Sequence, residues 1–140
     1  MLEECRSIVA RLTPPGKSAI ASLGVAGPRA WEAVRSLFRR PRQALLPDAL
    51  DTGRVYFGSL GETATGADDV ILFIRSAQPK FIAEVNCHGG PEAIQYLEAL
   101  LVARGLERAH ADVWSAHRDG AEQAEMCALL ARCSQICPDG

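Results

Sequence analysis

An α+β fold, a mostly antiparallel sheet with two to three helices, is the class this sequence predicts. Short runs rich in Val, Ile, Phe and Tyr, such as "RVYFGSL" and "DDVILFIRS", are separated by hairpin-sized turns, which favours antiparallel pairing. Two other segments, "GPRAWEAVRSLFRR" and "PEAIQYLEALLVARG", carry apolar residues at spacings of three and four instead. The order of the two kinds, β-β-α-β-β-β-α-(β)-α, groups strands between helices instead of alternating them singly, so it points to α+β and away from a parallel sheet.

Each element follows from local chemistry. Residues 5–12 and 17–26 read as strands joined by "TPPG", where proline fixes φ and glycine permits a tight reversal. The first helix has Pro28 in its first turn, Trp31, Val34, Leu37 and Phe38 on one face, and Pro41 as its stop. "QALLPDALDTG" is a loop, and "RVYFGSL" and "DDVILFIRS" form a strand pair around "GETATGA". "KFIAEVNC" is the next strand. The second helix opens at Pro91, carries Ile94, Leu97, Leu100 and Leu101 as its stripe, and closes at Gly105. "LERAHADVW" is expected as a strand and "DGAEQAEMCALLARC" as a last helix, with Cys127, Cys133 and Cys137 facing the core beside Met126, Leu129 and Leu130.

With 140 residues, 48% of them hydrophobic and 23% charged, the chain is sized for one domain, residues 1–140, with its own core, and disorder is not expected. No apolar run approaches the roughly 20 residues of a membrane span. The start "MLEEC" is acidic where a signal peptide is basic, so a cytoplasmic location is expected. The five cysteines (Cys5, Cys87, Cys127, Cys133 and Cys137) are odd in number and contain no C-x-x-C pair, which points to reduced thiols, not to a disulfide framework or a zinc site.

Charge is unevenly spread. Residues 1–47 hold eight Lys or Arg against three Glu, whereas residues 48–140 hold seven against fourteen acidic residues. Arg35, Arg39, Arg40 and Arg42 are the densest cluster. An RNA-binding patch is one reading. Cations complementing the macrodipole at a helix C-terminus are the other, and four arginines with only Phe38 among them favour it.

Two stretches bear on function. "GKS" at residues 16–18 looks like the end of a phosphate loop, but the first glycine of G-x-x-x-x-G-K-[ST] falls on Arg11, Pro14 and Pro15 remove donors, and the next residues, "AIASLGVAG", read as a strand. No nucleotide site is expected there. "EVNCHGGPEA", residues 84–93, delivers a carboxylate, an amide, a thiol and an imidazole to a Gly-Gly turn that opens into a helix. Strand alternation puts Glu84, Asn86 and His88 on one face, with Val85 and Cys87 on the other, toward the core. Cys87 and His88 therefore point apart and make a poor nucleophile and base pair. Gly89 and Gly90 allow close approach of a ligand, and the free N–H groups of the first helical turn favour an anionic or carbonyl acceptor. The competing reading is a tight strand-to-helix connection whose glycines serve packing. His110 and His117 are expected near turns, solvated. No nucleophile, base and orienting group stand at workable spacing, so catalysis by this chain alone is not expected.

Together, "LTPPGKSAIASLGVAGPRAWEAVRSLF" and "EVNCHGGPEAIQYLEALLVARG" resemble the N-terminal, folate-binding domain of the tRNA-modification GTPases, the MnmE/TrmE family. The resemblance covers roughly residues 5–106 well and the rest weakly. It implies an aminomethyltransferase-like α+β half-domain that homodimerises, completes a folate pocket, and binds a formyl- or methylene-tetrahydrofolate, the one-carbon donor for wobble-uridine modification of tRNA. Glu84 matches the carboxylate before the family's H-C-H-G-G, and Asn86, His88, Gly89 and Gly90 line the same rim. The family's helical and GTPase domains have no counterpart in these residues, so GTP hydrolysis is not expected of them. A separately encoded GTPase or an FAD-dependent tRNA-modification protein is the implied partner. Three departures stand out: "SAQPKFIAEV" replaces a longer segment with a Tyr-Thr-Gly-Glu loop, Asn86 replaces the first His of H-C-H-G-G, and "ADVWSAHRDG" replaces a longer "PGEFTKRAF" type segment. A scaffold that keeps the dimer surface and has lost folate is therefore the alternative.

Overall fold

The computed structural model describes residues 6–13, 20–62, 67–88 and 90–136. They form seven strands and three α-helices: β1 (Ile8–Arg11), β2 (Ala21–Ala26), α1 (Pro28–Leu37), β3 (Phe38–Arg39), β4 (Val55–Leu60), β5 (Asp68–Ser76), β6 (Ile82–Cys87), α2 (Gly90–Ala103), β7 (Glu107–Ala109) and α3 (Ala111–Ile136). The strands make one sheet in the order β3-β4-β5-β6-β2-β1-β7. All neighbours are antiparallel except β1 and β7. The expected α+β class with a mostly antiparallel sheet is what forms.

Alternation along the strands gives the sheet two faces. On the inner face Val9, Leu23, Val25, Leu72, Ile74, Ala83 and Val85 are fully buried, packed with Val34 and Leu37 of α1 and with Leu97 and Leu101 of α2. Arg11 lies at the margin of this face, and with Arg108 of β7 it donates to the carboxylate of buried Glu98 on α2. On the outer face a smaller cluster of Ile8, Ala10, Ala26 and Ile82 is capped by Trp114 of α3. The indole sits where a Cβ on Gly24 would come within 2.7 Å of three ring carbons, so the lack of a side chain there is what lets the ring lie flat on β2. Its Nε1 donates to Val25 O at 3.1 Å.

Four expectations need correction. The strand over residues 106–114 is only Glu107–Ala109, because α3 begins at Ala111 and turns Trp114 onto the sheet. α3 leaves the sheet after Ala121, so Cys127 and Cys133 are exposed together with Met126, Leu129 and Leu130 and are not core thiols. Cys137 lies outside the described residues. The helix continues beyond the sheet, without buried partners among the described residues, because "AEQAEMCALLAR" is made almost wholly of strong helix formers. α1 ends at Leu37, and Phe38, expected on its apolar face, enters the core as β3, paired with Leu60. His117 lies within α3 and not beside a turn. Among the described residues no helix is long and apolar enough to cross a membrane.

Candidate ligand-binding site

β6 carries the candidate residues along the middle of the sheet. Glu84 stands opposite Gly24 of β2 and Phe73 of β5, and Asn86 opposite Ser22 and Ile71. Both side chains are on the outer face and half-buried, while Val85 and Cys87 point into the core, as the alternation predicts. Arg75, two residues beyond Phe73 on the same face, donates Nε–H to Glu84 Oε2 and lays its guanidinium over the Phe73 ring, 4.6 Å from its centroid. The carboxylate is thus oriented by one strong, charge-assisted contact. Asn86 accepts at Oδ1 from the Ser22 hydroxyl at 2.5 Å and donates from Nδ2 to Ile71 O at 3.3 Å, which fixes the amide plane.

Past the end of β6 the chain enters α2. His88 is exposed, and Gly90, at φ 82°, is the first helical residue; a Cβ there would meet nothing within 4 Å. Gly89 lies outside the described residues, as does the Pro14–Ser18 part of "TPPGKS". The strands flanking that segment pair antiparallel, Leu12 N–H donates to Ser22 O, and Ser22 N–H donates to Thr13 Oγ1 at 3.2 Å. The element after "GKS" is therefore the strand β2, unlike the helix that a phosphate loop feeds.

Asn86, Cys87 and His88 come together in a shallow depression of about 100 Å³ with Ile20, Phe57, Asp69, Val70 and Ile71. Glu84 and Gly90 do not line it; Glu84 is two residues further along the strand. Ser22, Asp69, Phe57 and Ile71 were not among the sequence candidates, because they arrive from neighbouring strands. A signal did exist: "VYF" and "ILF" are apolar at consecutive positions, so both faces of β4 and β5 carry apolar side chains. The result is an outer face on which Ile20, Val55, Phe57 and Ile71 are 46–60% exposed.

Cys87 is 3% exposed. Burial, with a smaller contribution from the Asp68 carboxylate, pushes its thiol pKa up, which favours the neutral thiol over the nucleophilic thiolate. Three arginines of the basic cluster, Arg35, Arg39 and Arg40, are engaged within the chain. Arg39 Nη1 donates to the carbonyls of Arg35, Ser36 and Phe38 at the end of α1, Arg40 donates to Leu45 O, and Arg35 pairs with Asp48. Arg39 thus satisfies carbonyls at the negative end of the helix, the role its position predicts.

A single sheet with α1 and α2 over one face, the start of α3 over part of the other, and a polar rim where its middle strand runs into a helix defines an α+β domain. Comparison with known proteins makes this specific: residues 7–115 match the family described as GTP-binding protein TrmE N-terminus, and the chain belongs to that family. It is 32% identical over 107 residues to the tRNA modification GTPase MnmE of Thermotoga petrophila, covering 74% of this chain and 22% of that protein. The MnmE proteins of Carboxydothermus hydrogenoformans (30% over 115 residues, 78% of this chain, 24% of the relative) and of a Synechococcus species (33% over 108 residues, 72% and 23%) are similar in the same way. The chain therefore spans less than a quarter of the length of these relatives. The family match closes just after Trp114 and leaves most of α3 beyond it.

Proposed function

We propose that this chain is a one-carbon tetrahydrofolate-binding, dimerising domain serving wobble-uridine modification of tRNA, without GTPase activity of its own. Family membership and the MnmE relatives support the link to tRNA modification. The observation that carries the ligand reading is the juxtaposition of a fixed polar rim with an uncovered apolar face. Asn86 and His88 stand beside Phe57 and Ile71, which are 60% and 46% exposed, and Glu84 follows two residues along the strand from Asn86.

The residues fit a pterin. A carboxylate offers about four acceptor sites, so one guanidinium on Glu84 leaves capacity for the two parallel hydrogen bonds of an amino-pyrimidine edge. The Asn86 amide, clamped by Ser22 and Ile71, presents a preset orientation, and His88 with the first N–H groups of α2 faces polar or anionic substituents. When bound, the folate supplies the one carbon; Glu84, Asn86 and His88 hold and orient it. The depression, about 100 Å³, is far below the roughly 300–1,000 Å³ that encloses a small ligand. A second copy laid on the apolar outer face supplies the missing wall, which makes dimerisation and folate binding one event.

Calorimetric titration with 5-formyltetrahydrofolate tests this. Micromolar or tighter binding, weakened by roughly 1.5 kcal/mol or more in Glu84→Gln, is the expected result. No heat at millimolar folate from a folded dimer refutes the ligand reading. It leaves a scaffold that docks a partner such as a separately encoded GTPase, a reading favoured by the exposed stripe of Met126, Leu129 and Leu130 on α3.

A further inference from the structure

Two apolar surfaces of this chain are left in water among the described residues. One is the outer face of β4 and β5, where Val55, Phe57 and Ile71 are exposed; the other is the distal half of α3, where Met126, Leu129 and Leu130 are. The first is a sheet face without a helix, and the second a helix stripe without a sheet. The inner face shows what this sheet takes as a cover, since α1 and α2 lie on it. Met126, Leu129, Leu130 and Cys133 stand at i, i+3, i+4 and i+7, the pattern of a helix that buries one side. This half of α3 lies beyond the family match, which ends at residue 115.

The two surfaces cannot meet within one chain. α3 runs unbroken from Ala111 to Ile136 and is anchored by Trp114 over Gly24 of β2, so its distal half stands off its own sheet. Between two copies they are complementary in charge. Along its outer face β5 carries Asp69, Ile71, Phe73 and Arg75 in that order, and along the stripe and its flank α3 carries Glu122, Met126, Leu129 and Arg132. Both read acid, apolar, apolar, base. Laid in opposite directions, Arg132 comes to Asp69 and Glu122 to Arg75, which also donates to Glu84. The strand stretch rises about 20 Å and the helical one about 15 Å, a difference that long side chains span.

The area is also sufficient. Val55, Phe57, Ile71, Met126, Leu129 and Leu130 are 46–62% exposed. If each copy gives its helix and receives the other's, these side chains alone bury on the order of 1,100 Å², and flanking polar groups bring the contact to the roughly 1,200–2,000 Å² of a stable interface.

We infer that the distal half of α3 of one copy lies on the outer face of β4 and β5 of a second copy, and that the exchange is reciprocal about a two-fold axis. The inference rests on the dimerising reading above and names the element of the second copy that supplies the missing wall. Lying along β5, that helix borders Glu84 and Asn86 of β6, so the ligand is held between β6 and the second copy's α3.

The test is sedimentation velocity of the full chain, with and without 5-formyltetrahydrofolate, on two single variants and on their mixture. Leu129→Gln keeps helix propensity at an exposed position, so the chain folds, and it weakens self-association by about tenfold or more, as Phe57→Ser does. Mixing the two variants restores association. A Leu129→Gln chain still offers its sheet face to the intact helix of a Phe57→Ser chain, so one contact is whole in the mixed pair and none is whole in either variant alone. Arg132→Glu weakens association about tenfold, and Arg132→Glu combined with Asp69→Arg recovers it. Association indifferent to Leu129→Gln, no gain on mixing, or a charge swap that fails to recover association overturns the inference. If Phe57→Ser alone disrupts the dimer, this contact falls and the dimerising reading stands. A dimer that is lost in Leu129→Gln but indifferent to folate supports this contact and counts against the ligand reading.

Discussion

On the inner face of the sheet Val25, Leu72 and Val85 are fully buried beneath α1 and α2, whereas on the outer face Ile71, one residue from Leu72, and Phe57 of neighbouring β4 remain 46% and 60% exposed. At the end of the outer face nearest β1, Trp114 closes over Gly24 and Ile82; at the β4–β5 end nothing among the described residues does. Both faces carry large apolar side chains, although the outer one also holds Ser22, Arg75, Glu84 and Asn86. What differs is whether the chain supplies a cover, and the candidate ligand rim stands where that cover stops. An apolar sheet face costs free energy when left in water, at about 25 cal/mol per Å². Its retention beside Glu84 and Asn86 is therefore the feature that most needs a functional account.

If Trp114 is what covers the outer face, removing it has the largest effect. Trp114→Ala should cost roughly 3–5 kcal/mol, read as a lowered urea midpoint, because it opens the Ile8–Ala26–Ile82 cluster. A cost near zero would mean that α3 adds nothing to this face. Next comes the margin of the inner face. Glu98→Ala removes the acceptor of Arg11 and Arg108 and should cost about 1–2 kcal/mol, limited by the exposure of both arginines.

A smaller effect concerns Cys87. Its folded pKa is raised by burial, so the neutral thiol is favoured in the folded state. That contribution is fully present below the unfolded value, about 8.5, and is lost as pH rises through the folded value. Stability measured from about pH 7.5 to pH 10 should fall more steeply for the natural chain than for Cys87→Ala; parallel curves would place the thiol in contact with solvent. The smallest effect on folding is expected on the uncovered face. Phe57→Ser should change the stability of a single chain by less than about 0.5 kcal/mol while weakening self-association. A large loss of single-chain stability would show that the outer face is already covered.

Much of this contrast is legible in the sequence. Runs rich in β-branched and aromatic residues between turns place the long strands, and the stripe of Ile94, Leu97 and Leu101 places α2 and its buried face. The orientation of Glu84, Asn86 and Cys87 follows from alternation alone. Trp114 was hidden because "HADVW" alternates like a strand, and only tertiary contact with Gly24 shows that the indole has a seat in a helix. The cysteines of α3 misled for the opposite reason: their spacing describes a helical stripe but cannot say whether anything lies opposite it. Arg75 and Ser22 escaped because the register that sets them on Glu84 and Asn86 is fixed by pairing across 9 and 64 residues.

Sedimentation velocity across protein concentration, with and without saturating 5-formyltetrahydrofolate, tests the central claim that folate is held between two copies on the outer face. The account predicts that the 15.0 kDa chain shifts toward twice its mass as ligand is added, and that Phe57→Ser abolishes the shift and the binding together. A chain that binds folate as a monomer, or a dimer indifferent to both folate and Phe57→Ser, would contradict it.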